Sequence, residues 1–295
     1  MQMSAKYTLV EELGKGSSKQ FGRTFLGTSK KTGEAVIIKF VSKKDHPNGV
    51  ARLINEYSFD FSQTNLPRIL DFFESENELI LVRVYENGIT LGDYWKQLKR
   101  KERIPFLMAL FEKLTLIFDE LSSQHVVHCD IKPSNILIHS SFGSFDVSLI
   151  DFGLAIRKDR PEKRNTLFPL GFAAPELLLN ELDLVDQRTD IFALGITAWY
   201  LFTGELPLTN PNPSIFTNLQ ITHPLPDHSA LPKGWYPILK KMTNKHVFRT
   251  APNLIEKKLL KSHLQTGING RFSNLHEVIL EFKRIPQGKK WLRFR

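Results

Sequence analysis

The stretch His128-Cys129-Asp130-Ile131-Lys132-Pro133-Ser134-Asn135, followed by Asp151-Phe152-Gly153, decides the reading of this 295-residue chain. It sets two acids, a lysine and an asparagine at spacings that suit magnesium-assisted phosphoryl transfer. Asp130 can accept a proton from a hydroxyl, and Lys132 can neutralise charge on a phosphate in flight. Asn135 and Asp151 can hold metal ions against the phosphates. Taken singly, such residues are most often solvated loop or cap positions. Their order together carries the reading.

Outward from this stretch, the chain changes character. Residues 6–41 alternate as strands do, with turn signals at Gly14-Lys15-Gly16 and Lys31-Thr32-Gly33. Residues 50–61 read as a helix, and 69–73 and 79–85 as strands joined by a polar turn. Beyond Asn87-Gly88 the pattern predicts helices over 91–99, 105–125, 175–179, 189–203 and 234–242, with short strands at 136–138 and 147–150. A strand-rich part therefore precedes a helix-rich part, an α+β arrangement of two lobes. The expected divisions are 1–86, 87–285 and a basic tail over 286–295.

Composition narrows the class. No run of eighteen apolar residues exists, so no membrane span is expected, and the N-terminus lacks an apolar signal segment. A single cysteine, Cys129, excludes an internal disulfide framework and fits a reducing, cytoplasmic setting. The net charge of +9 gathers at Arg157-Lys158-Asp159-Arg160 through Lys163-Arg164 and in the tail from Lys283-Arg284 to Arg295. Neither cluster contains a nucleic-acid motif, so nucleic acid is not an expected partner. The tail, with Trp291 and Phe294 among its bases, could meet an acidic partner or fray into solvent.

Together these motifs resemble the catalytic loop and metal-binding motif of eukaryotic-type serine/threonine protein kinases. Lys132, two residues after Asp130, resembles the serine/threonine type more than the tyrosine type. The resemblance implies a protein-kinase-like fold with a small strand-rich N-lobe and a larger helical C-lobe. It implies ATP and Mg2+ as cofactors and a protein bearing a serine or threonine hydroxyl as substrate. In these terms Asp130 handles the substrate hydroxyl, Lys132 supports it, and Asn135 and Asp151 bind metal.

The resemblance extends into the strand-rich part. Gly14, Gly16 and Gly22 would form the phosphate loop, lengthened by three residues, with Thr24 where a valine usually covers adenine. Val36-Ile37-Ile38-Lys39 resembles the strand whose lysine holds the α- and β-phosphates, with Ile37 where alanine is usual. Glu56 would pair with Lys39. Arg83 takes the gatekeeper position and needs a partner if buried. Val84 to Glu86 would offer backbone groups to adenine, and Leu137 would pack beneath it. Asp60 stands where an apolar residue is usual.

In the helix-rich part, Cys129 replaces an arginine that often receives an activation-loop phosphate, and its small side chain is expected to be half-buried. Thr166 is the only hydroxyl between Asp151 and Ala174-Pro175-Glu176. Pro169 replaces a threonine. Asp190 would brace the catalytic loop. Glu176 would pair with Arg249 or Arg271; Arg271 is favoured, with 250–270 as an insertion. Two other readings stay open: a pseudokinase or scaffold that binds nucleotide without efficient turnover, and a small-molecule kinase.

Overall fold

The computed structural model describes residues 2–14, 21–61, 65–141, 143–160, 168–248 and 250–286. Gly16, Thr166, Arg249, Trp291 and Phe294 lie outside the described residues. The chain forms two compact units, one of residues 1–89 with 137–155, the other of residues 90–136 with 156–295.

The first unit is built on an antiparallel sheet. After a short helix α1 (Gln2–Lys6), strands β1 (Tyr7–Leu13), β2 (Arg23–Ser29), β3 (Ala35–Ser42), β4 (Ile69–Glu74) and β5 (Glu78–Val84) assemble in the order β1-β2-β3-β5-β4. Alternation along β3 sends its side chains to two faces. Val36 and Ile38 pack with Tyr7 and Val82 on one face, joined by Phe25, Phe40 and Phe73. The other face carries Ile37, Lys39 and Val41. Val41 packs there with Leu79, Leu81 and Leu53 of the helix α2 (Pro47–Tyr57).

Helix α2 starts three residues earlier than periodicity predicts and stops four earlier. Pro47 sits in its first turn, where a missing N–H is harmless. At the far end the Ser58 hydroxyl donates back to the Asn55 carbonyl at 2.7 Å, a bond that competes with helix continuation. Phe59 and Phe61 then turn inward and are buried. The boundary strand β6 (Ile89–Thr90) leads out of the unit. Strands β8 (Ile136–Ser141) and β9 (Ser144–Leu149) return to it, the Leu149 N–H donating to the Asn65 carbonyl at 3.2 Å.

The second unit is helical around α6 (Gln187–Thr203), whose residues from Thr189 to Trp199 are all buried. A helix apolar on every side belongs at a core centre. Asp186 caps it, accepting from the Arg188 N–H at 2.8 Å, and Gly204 ends it at φ +82°. Around it lie α3 (Leu91–Gln97), α4 (Arg100–Ser123), α5 (Pro175–Leu178), α7 (Pro213–Thr222), α8 (Trp235–Met242), α9 (Lys257–Asn269) and α10 (Leu275–Arg284). Helix α4 begins five residues before the expected 105. Pro105 lies inside it, and the start is set by Glu102, whose carboxylate accepts the Lys99 N–H at 2.9 Å. Short strands β7 (Val126–Val127) and β10 (Ile156–Arg157) pair antiparallel. The chain thus has the α+β architecture expected, a strand-rich part followed by a helical one.

Candidate active site

In the first unit, register brings the polar residues together. Lys39 lies opposite Thr24 on β2 and Leu81 on β5, and Ile37 lies opposite Leu26 and Arg83. Directly opposed residues share a face, so Lys39, Ile37, Thr24 and Arg83 project to the side that α2 covers. There Lys39 Nζ reaches Glu56 Oε2 at 2.5 Å and Asp151 Oδ1 at 3.4 Å. Burial pulls the Lys39 ammonium down. The Asp151 and Glu56 charges outweigh it, Arg83 working against them, and the pKa stands above the ordinary lysine value. Lys39 is therefore held as a cation.

Arg83 is buried, and its partner is Glu56. Its Nε lies 4.0 Å from Glu56 Oε1, and both atoms are buried without a hydrogen bond. Glu56 thus stands between two cations, bonded to one and facing the other at ion-pair distance. Such a guanidinium pays for its burial with little in return. Arg83→Met is expected to leave unfolding stability unchanged or raise it by up to ~2 kcal/mol in urea denaturation. A fall of that size would instead make Arg83 an essential tie for Glu56.

Asp151 adopts φ +71°, a left-handed conformation, and its side chain is 41 % exposed. The segment after it is held from α2. Asn55 Nδ2 lies 3.1, 3.2 and 2.9 Å from the carbonyls of Phe152, Gly153 and Ala155, which share its two hydrogens. The Phe152 ring packs on Phe61 and Phe59 at centroid distances of 4.6 and 5.9 Å. These two rings supply the apolar contact that exposed Asp60 does not. The Asn55 clamp was not anticipated; its only signal in the sequence is an asparagine in a helix interior, where it is a poor helix former.

The remaining expected nucleotide contacts also fall in this unit. Gly22 has φ +121°, and a Cβ there would lie 2.3 Å from the Phe40 carbonyl, so the position needs glycine for the backbone alone. Gly14 is exposed at φ +79°. Val84 donates its N–H to the Arg68 carbonyl at 3.0 Å, and its carbonyl accepts from Arg83 Nη1 at 3.4 Å. Glu86 is half-buried, and burial raises its pKa against the opposing influence of His139 and Arg83. Leu137 is buried on β8.

The second unit holds the residues expected to form the catalytic loop. Lys132 Nζ donates to both oxygens of Asp130, at 2.9 and 2.8 Å. Asn135 Nδ2 donates to the Asp130 carbonyl and to its Oδ2, each at 2.9 Å. Asp130 is therefore fixed in orientation. Asn135 has its amide nitrogen spent, and its Oδ1, which accepts from Ser134 Oγ at 3.4 Å, keeps a second lone pair that it can present to a cation. Below the loop, buried Asp190 accepts the N–H groups of His128 and Cys129 at 2.7 and 2.8 Å. Burial pushes its carboxyl up to about 7 while these two donors pull it down. Cys129 is fully buried at φ +63°, not half-buried as expected. Its small side chain fits beneath the turn that Asp190 holds.

Of the two candidates for Glu176, Arg271 is the partner. Its Nη1 and Nη2 meet Glu176 Oε1 and Oε2 at 2.5 and 2.9 Å, with Thr189 Oγ1 donating to Oε1 at 2.8 Å. Arg271 Nε donates to the Asn244 carbonyl at 2.9 Å, and the guanidinium lies 4.8 Å from the Phe192 ring centroid. Residues 250–270, expected as an insertion, contain α9.

Comparison with known proteins agrees with this geometry. The family description "Protein kinase domain" matches residues 7–278. The chain is similar to the serine/threonine-protein kinase TIO of Arabidopsis thaliana, 32 % identical over 184 residues, covering 58 % of this chain and 13 % of that protein. Human serine/threonine-protein kinase D2 is 30 % identical over 178 residues, 58 % of this chain and 20 % of that protein. A probable serine/threonine-protein kinase pXi of Dictyostelium discoideum is 26 % identical over 174 residues, 58 % of this chain and 24 % of that protein. The alignments thus span at most about a quarter of these relatives. With the match running through the lysine strand, the catalytic loop and the Glu176–Arg271 pair, the chain belongs to the protein kinase domain family.

Proposed function

We propose that the chain is an active serine/threonine protein kinase, transferring the γ-phosphoryl group of ATP to a protein hydroxyl with the help of Mg2+. The observation that carries the reading is the Asp130 carboxylate, held by Lys132 and Asn135 on a loop anchored by Asp190. The serine/threonine kinases among the similar proteins support the substrate class.

The residues present fit the cofactors. Asn135 Oδ1 and the part-exposed Asp151 carboxylate are hard oxygen donors of the kind Mg2+ takes. Mg2+ keeps waters and phosphate oxygens and needs only one or two protein ligands. Accordingly, no cluster of three His, Cys, Asp or Glu residues able to hold a metal occurs among the described residues. Bound metal would neutralise charge on the phosphates. Lys39, held charged between Glu56 and Asp151, would steady the α- and β-phosphates. Asp130 would orient the substrate hydroxyl and take its proton as the oxygen bonds to the γ-phosphorus and the bond to ADP breaks. Lys132 would balance the charge that builds on the transferring group.

The test is transfer of labelled γ-phosphate from Mg-ATP to a generic basic protein, beside Asp130→Asn. Label on serine or threonine is expected with the wild type. Asp130→Asn should lose at least ~10²-fold, the scale of one lost acid–base group. ATP binding with no transfer by the wild type would instead establish a nucleotide-binding scaffold.

A further inference from the structure

The helical unit carries a second concave surface, lined by none of the residues assigned to the proposed transfer activity. The start of α4, the end of α6 and residues 229–233 enclose a groove of about 820 Å³. Its apolar lining is Ile104, Phe202, Leu231 and Pro232. Its cations are Arg100, Lys101, Arg103 and Lys233, and no carboxylate is among the lining residues. Arg100, Lys101 and Lys233 are exposed, and no ion pair to any of the four occurs among the described residues. Arg103 stands deeper. Its guanidinium lies 5.1 Å from the Trp95 ring centroid, and its Nε is buried with no hydrogen-bond partner. The buried Arg103 donor is costly until an acceptor meets it, and the three exposed cations around it favour an acceptor that is an anion. The first turn of α4 adds its own partial positive charge.

We propose that this groove docks an acidic segment of a partner protein that carries a bulky apolar side chain. Acidic side chains would meet the four cations while the apolar one covers Ile104, Leu231 and Pro232. The chain's own tail is a poor occupant, since Lys289, Lys290, Arg293 and Arg295 repeat the groove's charge. A second copy carries +9 and is repelled in the same way. A single fatty carboxylate would neutralise one cation of four. Single-stranded nucleic acid would find no open aromatic face on which to stack its bases. The Phe202 ring is instead packed against Trp95 and Trp235, each at 5.1 Å between centroids.

The experiment is fluorescence anisotropy of the full chain with a labelled dodecapeptide of Asp and Glu around a central Phe. Two double variants are compared. Lys101→Glu/Lys233→Glu reverses charge in the groove. Lys31→Glu/Lys258→Glu makes the same charge change at exposed positions elsewhere. Saturable binding is expected, weakened at least tenfold by the groove variant and less than twofold by the control. Replacing the peptide's Phe by Ser should weaken it at least threefold. Equal losses in both variants would overturn the proposal, because the peptide would then be reading net charge. No binding by the wild type would also overturn it. So would groove-dependent binding of a twelve-residue oligothymidylate or of phosphatidylserine vesicles in place of the peptide.

Discussion

Arg271→Ala should destabilise the helical unit by about 3–5 kcal/mol, the cost of leaving a buried carboxylate without its cation. Both side chains are inaccessible, at 1 % and 0 % exposure. The two-pronged contact with Glu176 is one part of what is lost. Arg271 also donates to the Asn244 carbonyl and covers Phe192, so its removal leaves an orphaned acceptor and a cavity as well. Arg271→Lys should recover only part of the loss, because an ammonium cannot span both carboxylate oxygens and the carbonyl together. Urea unfolding measures both. A loss below about 1 kcal/mol for Arg271→Ala, the range of an exposed pair, would show that water relaxes into the site and that the pair is not a structural anchor.

Lys39→Met and Asp151→Asn should each cut kcat/KM by at least ~10²–10³-fold, the scale for removing one preorganised charge-stabilising group. Their effects on stability should differ from ordinary buried-charge deletions. In Lys39→Met the Glu56 carboxylate keeps a cation at hand, since Arg83 Nε lies 4.0 Å away and can close on it. Folding is then expected to survive with a loss of ~1 kcal/mol or less, within what relaxed pairs retain. The double variant Lys39→Met/Arg83→Met removes both cations and should cost about 3–5 kcal/mol. Chemical denaturation beside the transfer assay separates these effects. Wild-type turnover by Asp151→Asn would remove that residue from the proposed metal site. Additive stability losses in the double variant would show that Arg83 never takes over Glu56.

Much of this was legible in the chain because it is written locally. The loop from His128 to Asn135 needs only its own spacing, and the apolar flanks of Lys39 give its strand away. The departures come from contacts distant in sequence. Phe59 and Phe61 continue an apolar rhythm that reads as helix, yet they leave the helix to meet Phe152, more than ninety residues on. Asn55 reaches carbonyls 97 to 100 residues away, which no periodicity encodes. The buried partner of Arg83 depended on which faces of β5 and α2 meet. Pro105 looked like a helix start because proline favours a first turn, but the helix had already begun. Helix α7 was missed because its β-branched residues are poor formers. Asn212 starts it all the same, accepting from the Ser214 N–H at 2.9 Å with Pro213 next to it.

The clamp from Asn55 has a consequence for control. Helix α2 carries Glu56, which holds Lys39, and one residue earlier it carries the amide that holds the segment following Asp151. The lysine proposed to steady phosphate and the carboxylate proposed to hold metal therefore share a single mount. A binder that tilted α2 by a fraction of a turn would withdraw both in one movement, and one that pressed it home would restore both. On the proposed roles, control of both groups would need a handle on one helix and no separate latch for each.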